Sequence, residues 1–242
     1  NGFAIDQDKL ASDISQALND KKFDATITAT GSTVAPEISA SSAKEKYKTI
    51  STFTTTTTAN QNRNTNVRLA AEAINGTVIK PGQEFSFNGT VGQRTEAKGY
   101  KGAAAYNNGE VVQEIGGGVC QVSTTLYNAE LRAGILPTER QNHMMTVGYV
   151  GIGLDATLAD DLIDLRFVNT YDYPLIITTS STSGSLTVEI WSNSNATNGY
   201  TYEPRVEAIS SLDCYTYLDK YDSSGNLVDS IYLNESVYQP FS

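Results

Sequence analysis

Three residue types suited to covalent acyl chemistry follow one another along the middle of the chain. Cys120 comes directly after the glycines of "EIGGGVCQVSTTLYNAELRAGI", His143 is the only histidine present, and Asp155 stands in "GIGLDATL". A thiol that hands its proton to an imidazole becomes a nucleophile, and a carboxylate behind the ring holds the imidazole in the required tautomer. This order, cysteine then histidine then aspartate, is that of several thiol enzymes. A bland reading stands beside it, because cysteine is among the most buried residue types and a lone histidine is often structural.

The chemistry depends on the elements that hold these side chains. Val119, Val122, Leu126, Ala129 and Ala133 recur at helical spacing and Gly134 is a natural stop, so an amphipathic helix is predicted to begin at or just before Cys120. A helix N-terminus presents unpaired N–H groups and the positive end of the macrodipole, both of which favour a thiolate. Gly116, Gly117 and Gly118 permit a tight turn whose N–H groups could hold a developing oxyanion, with the Cys120 N–H, Gln113 and Gln121 as further candidate donors. His143 lies in "RQNHMMTVGYV", at the entrance of a predicted strand.

Elsewhere Asp6 is predicted to cap a short helix bearing Leu10, Ile14, Ala17 and Leu18, and "ATITAT" reads as a strand before a turn and a boundary near residue 48. "TISTFTTTTTANQNRN" reads as an extended edge, Val67, Ala70, Ala71 and Ile74 as one helical face ended by Asn75 and Gly76, and "EFSFN" as a strand. Past Gly134 the strands "MTVGYV", "LIDLRFVN", "PLIITTS", "SLTVEIW" and "YTYEPRVEAI" are expected. A final hairpin should turn over Ser223 to Asn226. The expected fold is α+β, a helix-started cysteine motif packed on a mainly antiparallel β-sheet with a β-rich C-terminal tail. Cys214 is expected to be a packing residue without a disulfide to Cys120.

Composition narrows the function. Aspartate and glutamate outnumber lysine and arginine by 27 to 17, for a net charge of -10, and no basic cluster occurs, which argues against a nucleic-acid partner. One histidine and two distant cysteines give no zinc spacing, so neither metal nor cofactor is expected. Acids are plentiful, yet none stands in a distinctive glycosidase-like pair. No apolar run approaches the roughly 18 residues that span a bilayer. The chain therefore reads as a fragment of something longer without membrane contact of its own, any signal or anchor of the full-length protein lying outside it, and its Thr, Ser, Asn and Tyr content suits a wet, sugar-rich exterior better than a cytosolic enzyme.

The stretches "PGQEFSFNGTVGQRTEAKGY", "GGGVCQVSTTLYNAELRAGI", "RQNHMMTVGYVGIGLDATL" and "DLRFVN" together resemble the VanW-like domain of bacterial envelope proteins and some vancomycin-resistance clusters. The resemblance covers residues 49 to 192. Residues 1 to 48, from "FAIDQDKLASDISQAL" to "APEIS", resemble the tail of a peptidoglycan-binding segment, and residues 193 to 242 form a C-terminal β extension. The resemblance implies an exported, extracellular location in the cell envelope and peptidoglycan or its stem peptides as partner. The cysteine motif is also similar to the core of transglutaminase-like and papain-like thiol enzymes, although Met144 replaces the aromatic that commonly follows the histidine. Two functions are thus expected: a hydrolase or acyl transferase on stem-peptide amides, using Cys120, His143 and Asp155, or a non-catalytic recognition or scaffold module whose glycine turn and tyrosines such as Tyr100, Tyr106 and Tyr127 line a groove.

Overall fold

A computed structural model describes residues 2–34, 45–107, 110–159 and 162–240. The chain divides into two compact units, Asn1–Lys46 and Tyr47–Ser242. In the first, strand β1 (Gly2–Ile5) pairs antiparallel with β2 (Gly31–Val34) around helix α1 (Gln7–Asn19). Asp6 caps α1 by accepting from the Lys9 N–H at 2.9 Å. The strand expected over "ATITAT" is irregular chain, and pairing begins only at Gly31, where the register with β1 supplies a partner. Residues 35 to 44, including most of the expected linker, lie outside the described residues.

The second unit begins with β3 (Tyr47–Thr56), helix α2 (Gln61–Ile74), β4 (Val78–Ile79), β5 (Glu84–Ser86), helix α3 (Phe87–Val91), and the hairpin β6 (Gly102–Asn107) and β7 (Glu110–Ile115). Helix α4 (Cys120–Arg132) follows, then β8 (Pro137–Glu139), β9 (Arg166–Val168), β10 (Leu175–Ser181), β11 (Ser185–Asn193), β12 (Thr201–Ala208), β13 (Asp213–Tyr221) and β14 (Leu227–Val237). The sheets are antiparallel, in the orders β3-β11-β10-β4, β5-β9-β8 and β12-β13-β14. The fold is α+β with a β-rich C-terminal region, as the patterning predicts. The expected strand over "MTVGYV" does not form. Apart from a single bridge between Met145 and Gln239, this segment is turns and irregular chain.

Alternation explains the main sheet: Leu186, Val188 and Ile190 of β11 point to one side and are buried there. Against this unit's core pack Val67, Ala70, Ala71 and Ile74, the face expected for α2, and Val122, Leu126 and Ala129 of α4. Asn60 caps α2 by accepting from Arg63 N at 3.0 Å.

Helix α4 departs from the amphipathic expectation. Every residue from Gln121 to Leu131 is buried, polar ones included. Its polar side is covered by the 154–158 segment: Ser123 Oγ donates to Ala156 O (2.7 Å), Thr124 Oγ1 accepts from Ala156 N (3.0 Å), and Asn128 Nδ2 donates to Leu154 O (2.7 Å). The spacing marked the polar side correctly, but protein rather than water faces it.

Glu130 is the exception on this helix, a buried carboxyl with no hydrogen-bond partner among the described residues. Burial pushes it well above the usual carboxylate range. The folded chain therefore keeps a proton that the unfolded chain releases near pH 4.5, and stability falls as pH rises beyond that point. Glu130→Met, which keeps an unbranched side chain of similar length, should stabilise the protein by about 1–3 kcal/mol at neutral pH. Urea unfolding at pH 5 and pH 8 checks both the gain and the expected loss of this pH dependence.

Candidate active site

Cys120 is the first residue of α4, and the turn before it is built from backbone. Gly116 N donates to Lys101 O (3.1 Å), Gly117 N to Glu114 O (3.2 Å), Val119 N to Gly116 O (3.1 Å) and Gln121 N to Gly118 O (3.0 Å). Asn66 Nδ2 anchors the turn through Gly117 O at 2.9 Å. A side chain at Gly117 would begin 2.4 Å from Ala103 O, and Gly118, at φ +104°, lies against Arg63. Only glycine fits either position. Among the described residues, no backbone carbonyl accepts from the N–H groups of Gly118 or Cys120, so these two, rather than those of Gly116 and Gly117, are left to meet a ligand.

The structure brings Cys120, His143 and Asp155 together. His143 Nδ1 is 2.6 Å from Asp155 Oδ2, and the same oxygen accepts from the His143 backbone N–H at 2.6 Å. A carboxylate only accepts, so Nδ1 carries a proton and Nε2 is the ring atom available to Cys120. Cys120 and His143 line the same cavity, close enough for each to shift the other's titration, and the thiol approaches Leu158 O (3.9 Å) and Thr157 Oγ1 (4.0 Å).

Electrostatics follow from this placement. Burial by itself would raise the Cys120 thiol, but the hydrogen bond and charge of His143 overcome it and hold the thiol below its ordinary 9.0. For His143 burial works against the charged ring, yet the bond it donates to Asp155 and its interaction with Cys120 lift the imidazole from 6.5 to about 9. Asp155 stays below its ordinary value, because the His143 bond and the Arg140 charge outweigh its burial. The arrangement favours thiolate beside imidazolium.

Cys120 and His143 border a cavity of about 1070 Å³, which Arg63, Arg94 and Tyr149 also line, while Asp155 stands behind the ring and outside it. Cβ and Cγ of Arg94 lie over Gly116, and the Arg63 stem over Gly118. The Arg63 guanidinium donates to Gln121 Oε1 (2.6 Å) and sits 5.8 Å from the Tyr149 ring. Gln121 is buried, and its amide nitrogen donates to Thr55 Oγ1 (2.8 Å) and Thr56 O (2.9 Å), so both its protons are engaged within the protein. Gln113 is exposed on β7, opposite Ala104, and does not line the cavity. Tyr100 and Tyr127 are buried in the core rather than facing a groove, and the side chain of Tyr106 lies outside the described residues. Cys214 is a buried free thiol away from the cavity, and Cys120 is also free.

Four further residues were not apparent from spacing. Arg140 pairs with Asp155 Oδ1 at 3.3 Å with both side chains buried, and Tyr238 donates to the same oxygen at 2.5 Å. Arg63 and Arg94 come from elements far from Cys120 in the chain. An arginine or tyrosine in a polar stretch looks like ordinary surface until the fold buries it.

With this geometry in place, comparison with known proteins is informative. A family described as VanW like protein matches residues 62–191, more than half of the chain, and the match holds Cys120, His143 and Asp155. The chain belongs to the VanW-like family. Within it, the chain is 42% identical over 127 residues to YoaR of Bacillus subtilis (strain 168), covering 52% of this chain and 42% of that protein. It is 32% identical over 111 residues to the vancomycin B-type resistance protein VanW of Enterococcus faecalis (strain ATCC 700802 / V583), covering 44% of this chain and 40% of that one. The chain thus spans about two fifths of the length of these VanW-like relatives. No solved structure matches.

The thiol–imidazole interaction has a direct test. In His143→Ala the burial of Cys120 is opposed only by Leu158 and Thr157, so the pH midpoint for alkylation by iodoacetamide should move upward. An unmoved midpoint would show that His143 does not act on the thiol.

Proposed function

We propose that this protein acts on peptidoglycan in the cell envelope as a cysteine-dependent hydrolase or acyl transferase that attacks stem-peptide amides. The observation that carries the reading is the placement of the Cys120 thiol and an imidazole whose far side is fixed by Asp155 on the wall of one cavity large enough for a peptide. Family membership directs the choice of substrate, since one VanW-like relative is named for vancomycin resistance. Charge supports it too: in a chain of net charge -10, two arginines and one glutamate, Glu114, line the cavity, a balance of charge opposite to that of the whole chain, which suits an acyl donor carrying a carboxylate, as stem peptides do.

In the proposed reaction the Cys120 thiolate forms a bond to the amide carbonyl carbon, and the carbonyl oxygen takes up the electron pair and faces the N–H groups of Gly118 and Cys120. The oxyanion re-forms the carbonyl and expels the amine, which takes the proton from His143. Neutral His143 then deprotonates water, giving hydrolysis, or an incoming amine, giving transfer. Either attack releases the thiolate and restores the imidazolium. Asp155 remains ionised throughout and stabilises the charged ring.

The test is incubation of wild type and Cys120→Ala with purified muropeptides, followed by mass spectrometry. New product masses or a covalent adduct are expected with wild type alone. Equal binding by both proteins, with no mass change and no adduct, would favour a recognition module and defeat the enzyme.

A second expectation concerns pH. Protonation of the leaving amine needs the imidazolium, so kcat/KM on those muropeptides should fall above about pH 9, where His143 loses its proton. Asp155→Asn should lower it by about 10^2- to 10^4-fold. A rate that keeps rising through pH 10 would remove His143 from the acid role.

A further inference from the structure

One residue that completes this site, Tyr238, lies beyond the family match at residues 62–191. Asp155 has two oxygens with different duties. Oδ2 is committed to His143, through both the ring and the backbone N–H. Oδ1 is held by Tyr238 and Arg140. The Tyr238 hydroxyl accepts from Gly153 N at 2.7 Å, so its single proton is directed to Asp155. Tyr238 directly follows β14 and is itself buried.

Arg140 reaches the same sheet from the other side. Its Nη1 donates to Asn234 Oδ1 and Ser236 Oγ, each at 2.9 Å, while Nε donates to Asp155 O at 2.7 Å and Nη2 to Gly153 O at 3.2 Å. The histidine segment is tied to β14 as well. Gln239 N donates to Met144 O (2.7 Å), and Asn142 Nδ2 donates to Val237 O (2.9 Å).

Loss of the Tyr238 hydroxyl would leave Oδ1 with only the 3.3 Å approach of Arg140 and would strand the Gly153 N–H in a buried place. The carboxylate could then rotate about its Cβ–Cγ bond. His143 is aimed at Cys120 only while that carboxylate is still.

We propose that the C-terminal sheet β12-β13-β14 is an integral part of the active site and that Tyr238 is a positioning residue, locking the Asp155 carboxylate so that His143 faces Cys120. This inference rests on the triad reading above. Tyr238 touches neither the thiol nor the cavity, so it is not a catalytic residue. It acts through Asp155, as outer hydrogen bonds act on the ligands of a metal.

The test uses the full chain and two readouts that need no substrate. One is the pH profile of iodoacetamide alkylation at Cys120. The other is the NMR titration of His143, whose signal is unambiguous because the chain has a single histidine. In Tyr238→Phe, alkylation at pH 7 should slow by about 10-fold or more, and the His143 midpoint should fall from about 9 toward 6.5. Thr216→Val provides the structural control: it removes another bond from this sheet to the same loop, Thr216 Oγ1 to Gly153 O at 3.2 Å, without touching the carboxylate. It should leave both readouts as in wild type. Unchanged readouts in Tyr238→Phe, or an equal loss in Thr216→Val, would overturn the proposal. If His143→Ala also left alkylation unchanged, the triad reading itself would fall, which separates the two failures.

Discussion

The geometry of the site hangs on one docking contact, that between the polar side of α4 and the 154–158 segment. Ser123, Thr124 and Asn128 fasten Leu154 and Ala156, the two neighbours of Asp155. Cys120 begins the same helix. The thiol and the carboxylate behind the imidazole are therefore referred to a single rigid element, and their separation is set by helical rise rather than by loop flexibility. Undoing the contact would leave several buried polar groups unpaired at about 1–3 kcal/mol each, which explains why a helix with so much polar surface can be fully enclosed.

Enclosure also governs the charges. A thiol and an imidazole deprived of water each resist ionisation, and in isolation both would stay neutral here. Together they ionise each other, with Asp155 behind the ring and the helix N-terminus beside the sulfur. Arg140 keeps the carboxylate charged in turn, and Tyr238 and Gly153 complete its shell. The chain of contacts runs from thiol to sheet without a break, so a defect at the far end is felt at the sulfur.

A VanW-like core and a separate β extension would be the natural division from the match at residues 62–191 alone. The hydrogen bonds of Arg140 cross that line to Asn234 and Ser236. Glu130 of α4 shows the opposite relation of structure to stability: it is buried with no hydrogen-bond partner among the described residues, where an apolar residue would pack without the cost of dehydrating a carboxyl.

Periodicity by itself determined the helix that starts at Cys120, the apolar face of α2, the strands β10 to β14 and the order cysteine, histidine, aspartate, because these depend on neighbours within a few residues along the chain. It misplaced the strand near "ATITAT" and invented one over "MTVGYV", where alternating side chains mimic a strand but the chain makes a single bridge, Met145 to Gln239, instead of joining a sheet. Only the tertiary structure decided that Gln121 supports Arg63, that Gln113 stands apart, and that in the glycine turn the N–H groups without a backbone acceptor among the described residues are those of Gly118 and Cys120. It alone placed Tyr238 on a carboxylate 83 residues away. Hydrogen bonds between such distant residues leave no period in the sequence, since their geometry exists only once the sheets have packed.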